Sequence, residues 1–94
     1  MTIVWTRLAI ADLNSAYDYI DAERPSVALQ TIDRVEKVIH LISQHPEIGR
    51  PGRVDGTREF VVSGTPFIVP YRIKNNRIEV LAVIHGARRW PDSF

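Results

Sequence analysis

Residues 25–46 read PSVALQTIDRVEKVIHLISQHP, and this stretch decides how the chain is organised. Ala28, Ile32, Val35, Ile39 and Ile42 alternate spacings of four and three, the apolar seam of a helix about four turns long. Leu29, Val38 and Leu41 broaden that seam, while Asp33, Arg34, Glu36 and Lys37 fall on the opposite side. Pro25 suits a first helical turn, where its missing N–H has no intrahelical partner to lose. His45-Pro46 ends the run, since a residue before proline is pushed out of helical geometry. A helix of this kind needs an apolar surface to lie on, so the rest of the chain must supply one.

Upstream, Thr2–Trp5 (TIVW) is β-branched and aromatic and reads as a short strand. Thr6 is placed to cap a helix. Ala9, Leu13, Ala16, Tyr17 and Ile20 then recur at helical spacing among Asp12, Asn14, Asp18 and Asp21. This first helix is predicted to stop near Glu23, because Pro25 follows so closely. Two amphipathic helices joined by so short a link form an antiparallel hairpin.

Downstream, PEIGRPGRVDG at 46–56 is rich in proline and glycine and is predicted to be a loop. Arg58–Val62 reads as a strand, SGTP at 63–66 as a turn, and Phe67–Ile73 as a second strand. Pro70 within that strand signals a bulge or an unpaired position. Asn75-Asn76 suits a tight hairpin turn, because asparagine tolerates positive φ. Ile78–Ile84 (IEVLAVI) is apolar enough for one continuous strand in the middle of a sheet. The tail, His85–Phe94, reads as a loop or a single turn. The order strand, helix, helix, strand, strand, strand gives one α+β domain spanning residues 1–94. Its helical hairpin packs on one face of a mainly antiparallel sheet. The first strand must find its partner across the helices, near the end of the chain.

Composition narrows the chemistry. The chain has 94 residues and no cysteine, which removes disulfides, cysteine-based zinc sites and thiol catalysis and suits a reducing cytosol. Neither a signal peptide nor a membrane span is expected: the N-terminus lacks a basic region ahead of an apolar run, and no apolar stretch approaches the ~20 residues a bilayer requires. The net charge of +1 is unevenly spread. Residues 1–48 hold four basic side chains (Arg7, Arg24, Arg34, Lys37) against seven acidic ones, whereas residues 49–94 hold eight against four. Ten of the twelve cations are arginine, the side chain that meets carboxylate or phosphate in a two-pronged fashion. A basic face made by the C-terminal half would meet an acidic protein or a phosphate. The small net charge favours the protein, since proteins that grip many phosphates carry a larger positive excess.

Several stretches in order, IGRPGR at 48–53, GTREFVV at 56–62, VPYRI at 69–73 and VIHGARRWP at 83–91, together resemble the ParE-like branch of the RelE/ParE toxins. The resemblance spans nearly the whole chain. It implies a toxin of a type II toxin–antitoxin module with a cognate antitoxin as partner. Two activities occur in that superfamily. RelE-like members cleave mRNA on the ribosome, and ParE-like members poison DNA gyrase by binding it.

The residues bear on that choice. Cleavage through a 2′-hydroxyl needs a base, cations on the phosphate and an acid for the leaving oxygen. Aligned through VPYRI, the RelE-like lysine positions fall on Glu59 and Val61, and the arginine position falls on Ile68; a shift of two residues would bring in Arg58. Arg88 matches a basic catalytic position. A nuclease would therefore rely on Arg88 with His85, Arg58 or Arg72. A binding toxin would present Arg88, Arg89 and Trp90, with Arg72, Arg50 and Arg53, to its target, because guanidinium groups beside an indole suit a protein hot spot. Each candidate also has a structural alternative: Trp90 as cover for the core edge, His85 as a hydrogen-bonded strand-end residue, Arg72 in a surface ion pair, Arg50 and Arg53 as solvated loop residues. Neither His40 nor His45 suggests a metal site. The sequence holds no phosphate loop, nucleophile elbow or carboxylate cluster, so no cofactor, metal or small-molecule substrate is expected.

Overall fold

The computed structural model describes all 94 residues, Met1–Phe94. The elements are β1 (Thr2–Trp5), α1 (Arg7–Asp21), α2 (Pro25–Gln44), β2 (Arg50–Pro51), β3 (Arg58–Val61), β4 (Phe67–Lys74), β5 (Arg77–Val80) and β6 (Ile84–His85). They form two helices on one six-stranded sheet of order β1-β5-β4-β3-β2, with β6 also pairing with β4. All pairings are antiparallel except β1 with β5, which is parallel and places Ile3 beside Ile78. This is the α+β two-layer arrangement that the periodicities imply, and the strand that completes the sheet for β1 is β5.

Thr6 joins the two layers. Its backbone is extended (φ −70°, ψ 160°) and its Oγ1 accepts from the Ala9 N–H at 3.2 Å, capping α1. The same hydroxyl donates to the Val80 carbonyl at 2.8 Å, tying the start of α1 to the end of β5. One face of the hairpin then packs on the sheet: Ala9, Val35 and Ile39 meet Val62, Phe67, Val69, Val80 and Val83, while Ile42 meets Tyr71 and Ile78. Along α2 the buried positions are Ala28, Thr31, Val35, Ile39 and Ile42. Thr31 thus occupies the place expected of Ile32, its hydroxyl satisfied by donation to the Val27 carbonyl at 2.8 Å. Leu29, expected to widen the seam, is instead 62% exposed, while its neighbour Ala28 is fully buried, so the buried stripe is narrower at this end of α2.

Two further expectations are corrected. The loop 46–56 contains β2, whose Arg50 and Pro51 pair with Glu59 and Arg58. The apolar run Ile78–Ile84 is not one strand. Between the pairs Tyr71–Val80 and Ile68–Ile84, two residues of β4 (Val69, Pro70) face three of the other chain segment (Leu81, Ala82, Val83), which is a bulge. Proline is the physical reason. The N–H and C=O of one strand residue point to the same neighbour, and the Pro70 carbonyl accepts from Leu81 N–H at 2.9 Å. The N–H that proline lacks would have faced that same edge, so the ladder breaks there. The freed Val83 N–H instead donates to Asp12 Oδ2 on α1 at 3.1 Å. The hairpin between β4 and β5 turns through Asn75 (φ 52°) and Asn76 (φ 58°), both left-handed, as a two-residue turn of that hand requires.

Beyond the end of α2 the chain is latched by Tyr71, a fully buried β4 residue. Its hydroxyl donates to the Pro46 carbonyl at 2.8 Å and accepts from the Gly49 N–H at 2.9 Å. A side chain at Gly49 would place its Cβ 2.7 Å from that oxygen and 3.0 Å from the Glu59 carbonyl, so only glycine allows the approach.

Candidate functional site

Alternation along the strands divides the candidate residues between two faces. Phe60, Val62, Val69, Tyr71, Ile78 and Val80 point to the helices. Their neighbours Glu59, Val61, Ile68, Pro70, Arg72 and Glu79 therefore point outward. Directly paired residues share a face, so Arg50 (opposite Glu59), Lys74 and Arg77 (opposite each other) join them. The outer face collects Arg50, Arg72, Lys74 and Arg77 against two glutamates. This is the basic face that the charge asymmetry implies.

At one end of it Glu59 is 2% exposed. Its carboxylate accepts from Arg50 Nη2 at 3.2 Å and from the Arg53 backbone N–H at 2.7 Å, with Arg53 Nε 3.7 Å away. A buried carboxylate persists only when its charge is matched and its lone pairs are occupied, and both conditions hold here. The Arg53 guanidinium in turn lies 4.1 Å from the centre of the Trp90 ring. The Trp90 indole N–H is buried without an acceptor. Glu59, Arg53 and Trp90 thus form a clasp between β3, the loop after β2 and the C-terminal tail. Ile68, Pro70 and Ile84 on the same face are buried as well, so this face is not an open sheet surface.

At the other end, Arg72 Nε donates to Glu79 Oε1 across the β4–β5 ladder. That bond holds the Glu79 carboxyl below its ordinary pKa, with the positive charges of Arg72, Lys74 and Arg77 helping. A depressed carboxyl pKa stabilises the fold above the unfolded value, about 4.3, and the contribution is lost as pH falls through the folded value. Replacing Arg72 with alanine is expected to move the Glu79 titration upward, toward that ordinary value. A carboxyl-carbon NMR titration would read the shift, and an unmoved midpoint would dismiss Arg72 as its cause.

His85 and Arg88 lie elsewhere. His85 pairs with Phe67 and therefore faces the helices, its ring edge-on to Phe67 at 5.8 Å. With Arg88 it lines a cleft of about 260 Å³ between α1 and the sheet, alongside Asp12, Ser15, Tyr19 and Val83. His85 Nδ1 accepts from the Ala87 N–H at 3.1 Å, which ties the ring to the turn that follows β6. Arg58 is on the helix side too, donating from Nη1 to the Gly49 carbonyl at 2.8 Å and the Glu47 carbonyl at 3.2 Å. Arg88, His85, Arg72 and Arg58 are thus dispersed over both faces of the sheet. The guanidinium groups of Arg88 and Arg89 make no ion pair or hydrogen bond and are exposed. A cleft of about 800 Å³ beside Leu41, Pro46, Ile48 and Ile73 contains none of these residues. No three His, Asp or Glu side chains converge on a metal-sized space.

Residues 3–90 match the family described as the ParE toxin of the type II toxin–antitoxin system parDE. The chain belongs to the ParE toxin family. It is 36% identical over 89 residues to Y4kP of Sinorhizobium fredii, covering 95% of this chain and 92% of that protein. It is 30% identical over 86 residues to Toxin RelE2 of Caulobacter vibrioides, covering 92% and 96%. Among solved structures it is similar to the chromosomal ParDE TA system from P. aeruginosa (TM-score 0.83, 31% identity, covering 90% of this chain and 95% of that one). It also resembles the RelBE2 toxin–antitoxin complex from Mycobacterium tuberculosis (TM-score 0.61, 26% identity, covering 89% and 95%). This ParE-family chain is accordingly the toxin of a type II module, with the fold its relatives share.

Within this ParE-family fold, sequence reasoning did not find Glu59 as an organising residue. It is one of two acids, with Asp55, in a segment otherwise supplied with Arg50, Arg53 and Arg58, and of the two it alone falls within the strand at Arg58–Val62, which is the available signal. Asp12 is likewise only a polar helix position in the sequence, although it receives the N–H released by the bulge. No helix of this ParE-family chain is long and apolar enough to cross a membrane.

Proposed function

We propose that this toxin inhibits DNA gyrase by binding it, in the cytoplasm, through the exposed Arg88 and Arg89, and is neutralised by a cognate antitoxin. The observation that carries the reading is the content of the outer face. Where a ribosome-dependent nuclease of this superfamily would hold phosphate with cations, this chain has a buried, ion-paired Glu59, an exposed Val61 and a buried Ile68. An aliphatic side chain neither holds a phosphate nor moves a proton. The dispersal of Arg58, Arg72, His85 and Arg88 supports the same reading, since acid–base cleavage needs its groups around one phosphate. Purified gyrase with plasmid and ATP tests it directly: added toxin is expected to abolish supercoiling and leave linear plasmid. Unimpaired supercoiling together with cuts in mRNA on translating ribosomes would replace this reading with the nuclease one.

The antitoxin follows from the relatives, whose solved forms are a ParDE system and a RelBE2 complex. The surface of this chain agrees: Tyr19 is 85% exposed and Leu8, Val27 and Leu29 are exposed on the helices. Apolar area of this kind favours association. Expressed alone, the chain is expected to self-associate, and co-expression with its antitoxin is expected to give one stable, discrete complex. Light scattering on both preparations checks this. A lone chain that stays monomeric at high concentration would remove the argument.

A further inference from the structure

The tail that carries Arg88 and Arg89 is fixed at both ends. On one side the Gly86 N–H donates to the Pro66 carbonyl at 2.7 Å, and the Arg88 N–H to the His85 carbonyl at 2.9 Å. On the other side Trp90 lies under the Arg53 guanidinium, and Arg53 is held by Glu59. Between these anchors two guanidinium groups stand free.

Resting on the reading of Arg88 and Arg89 as the target contact, we propose that Glu59 is a positioning residue for them, acting through Arg53 and Trp90. The order is physical. The side chain of Glu59 is 1% exposed, so its carboxylate is fixed by the β3 backbone. It accepts the Arg53 N–H at 2.7 Å and lies 3.7 Å from Arg53 Nε, which holds that half-exposed side chain beside the tail. Arg53 then presents a flat cation to the indole face, and Trp90 ends the span that carries the two arginines. A tail ordered before contact leaves less freedom to be lost on binding, which strengthens association without adding an interaction. The free side chains meet the target and the clasp never does. Glu59 acts at a distance, and its substitution changes the tail before it changes anything else.

The test compares wild type with Trp90→Ala, Trp90→Phe and Glu59→Gln at matched cellular abundance. Growth arrest, amide hydrogen exchange of residues 86–90 and gyrase supercoiling are measured for each. Trp90→Ala and Glu59→Gln are expected to speed exchange in the tail while leaving α2 protected. Both are expected to weaken growth arrest by about tenfold, the scale of fixing a single backbone residue. Trp90→Phe keeps an aromatic face for Arg53 and is expected to restore potency to within about threefold of wild type. A purely structural Glu59 would loosen α2 as well, and Trp90→Phe would not rescue potency. Faster tail exchange with undiminished arrest would overturn the proposal, and so would unchanged exchange. Wild type that arrests growth without touching supercoiling would defeat only the gyrase reading, because the clasp is judged on arrest. A harmless wild type would defeat both.

Discussion

Replacing Tyr71 with phenylalanine is expected to lower stability by about 2–4 kcal/mol, although the substitution removes a single oxygen. That oxygen both donates and accepts, joining the Pro46 carbonyl to the Gly49 N–H in a fully buried position. Removing it leaves two backbone groups without partners, each costing about 1–3 kcal/mol. The loop backbone packs closely on the tyrosine there: a Cβ at Gly49 would lie 2.7 Å from that oxygen. Denaturant unfolding would measure the loss, and a change below about 1 kcal/mol would mean that the latch is not what holds this loop. The same residue predicts alkaline behaviour. Burial pushes the Tyr71 phenol above its ordinary pKa, against smaller opposing effects of the Gly49 hydrogen bond and the Arg58 charge. The folded state therefore keeps the phenolic proton more tightly than the unfolded one. Its contribution is complete below the unfolded value, about 10, and declines as pH rises through the folded one. Tyr71→Phe should lack that decline.

The second large effect concerns activity. Changing Arg88 and Arg89 together to alanine is expected to weaken gyrase inhibition by roughly 30-fold or more. An arginine at a binding hot spot contributes about 2 kcal/mol or more, and tenfold in affinity corresponds to about 1.4 kcal/mol. Both side chains are exposed and unpaired, so folding stability should stay within about 0.5 kcal/mol of wild type. Titration of supercoiling inhibition alongside thermal unfolding separates the two quantities. Undiminished inhibition by a folded double variant would move the target contact elsewhere, with Lys74 and Arg77 on the outer face next to be examined.

The fold was legible where a periodicity ran long enough to stand alone. The seam through Ala28, Val35, Ile39 and Ile42 located α2, and Asn75-Asn76 located the β4–β5 turn. Ile32 and Leu29 were misplaced because periodicity gives a direction around the helix, whereas burial depends on what lies opposite. The continuous run IEVLAVI concealed the break before β6, since uniformly apolar residues carry no alternation to mark a slip. Pro70 did signal an irregularity, yet a proline affects the neighbouring strand as readily as its own. The site was less legible than the fold. Alternation sends Glu59 outward, but its depth depends on Arg50, Arg53 and Trp90, which the fold brings together from β2, the loop after it and the C-terminal tail. Arg72 fits a functional residue and an ion-pair partner equally well in the sequence, and the structure shows the ion pair with Glu79.

The parallel pairing of β1 with β5 also has a consequence for how the chain is made. Thr2–Trp5 is translated well ahead of its partner, Arg77–Val80, with both helices and three strands between them. Until that partner emerges, β1 has no sheet to join, and Thr6 lacks the carbonyl to which its hydroxyl donates. Contacts between such distant segments form late, because the intervening loop must first be closed. The helical hairpin, built from local contacts, forms while synthesis continues. β1 is therefore placed after the helices that follow it in the chain, and the sheet edge it forms closes only once β5 has been made.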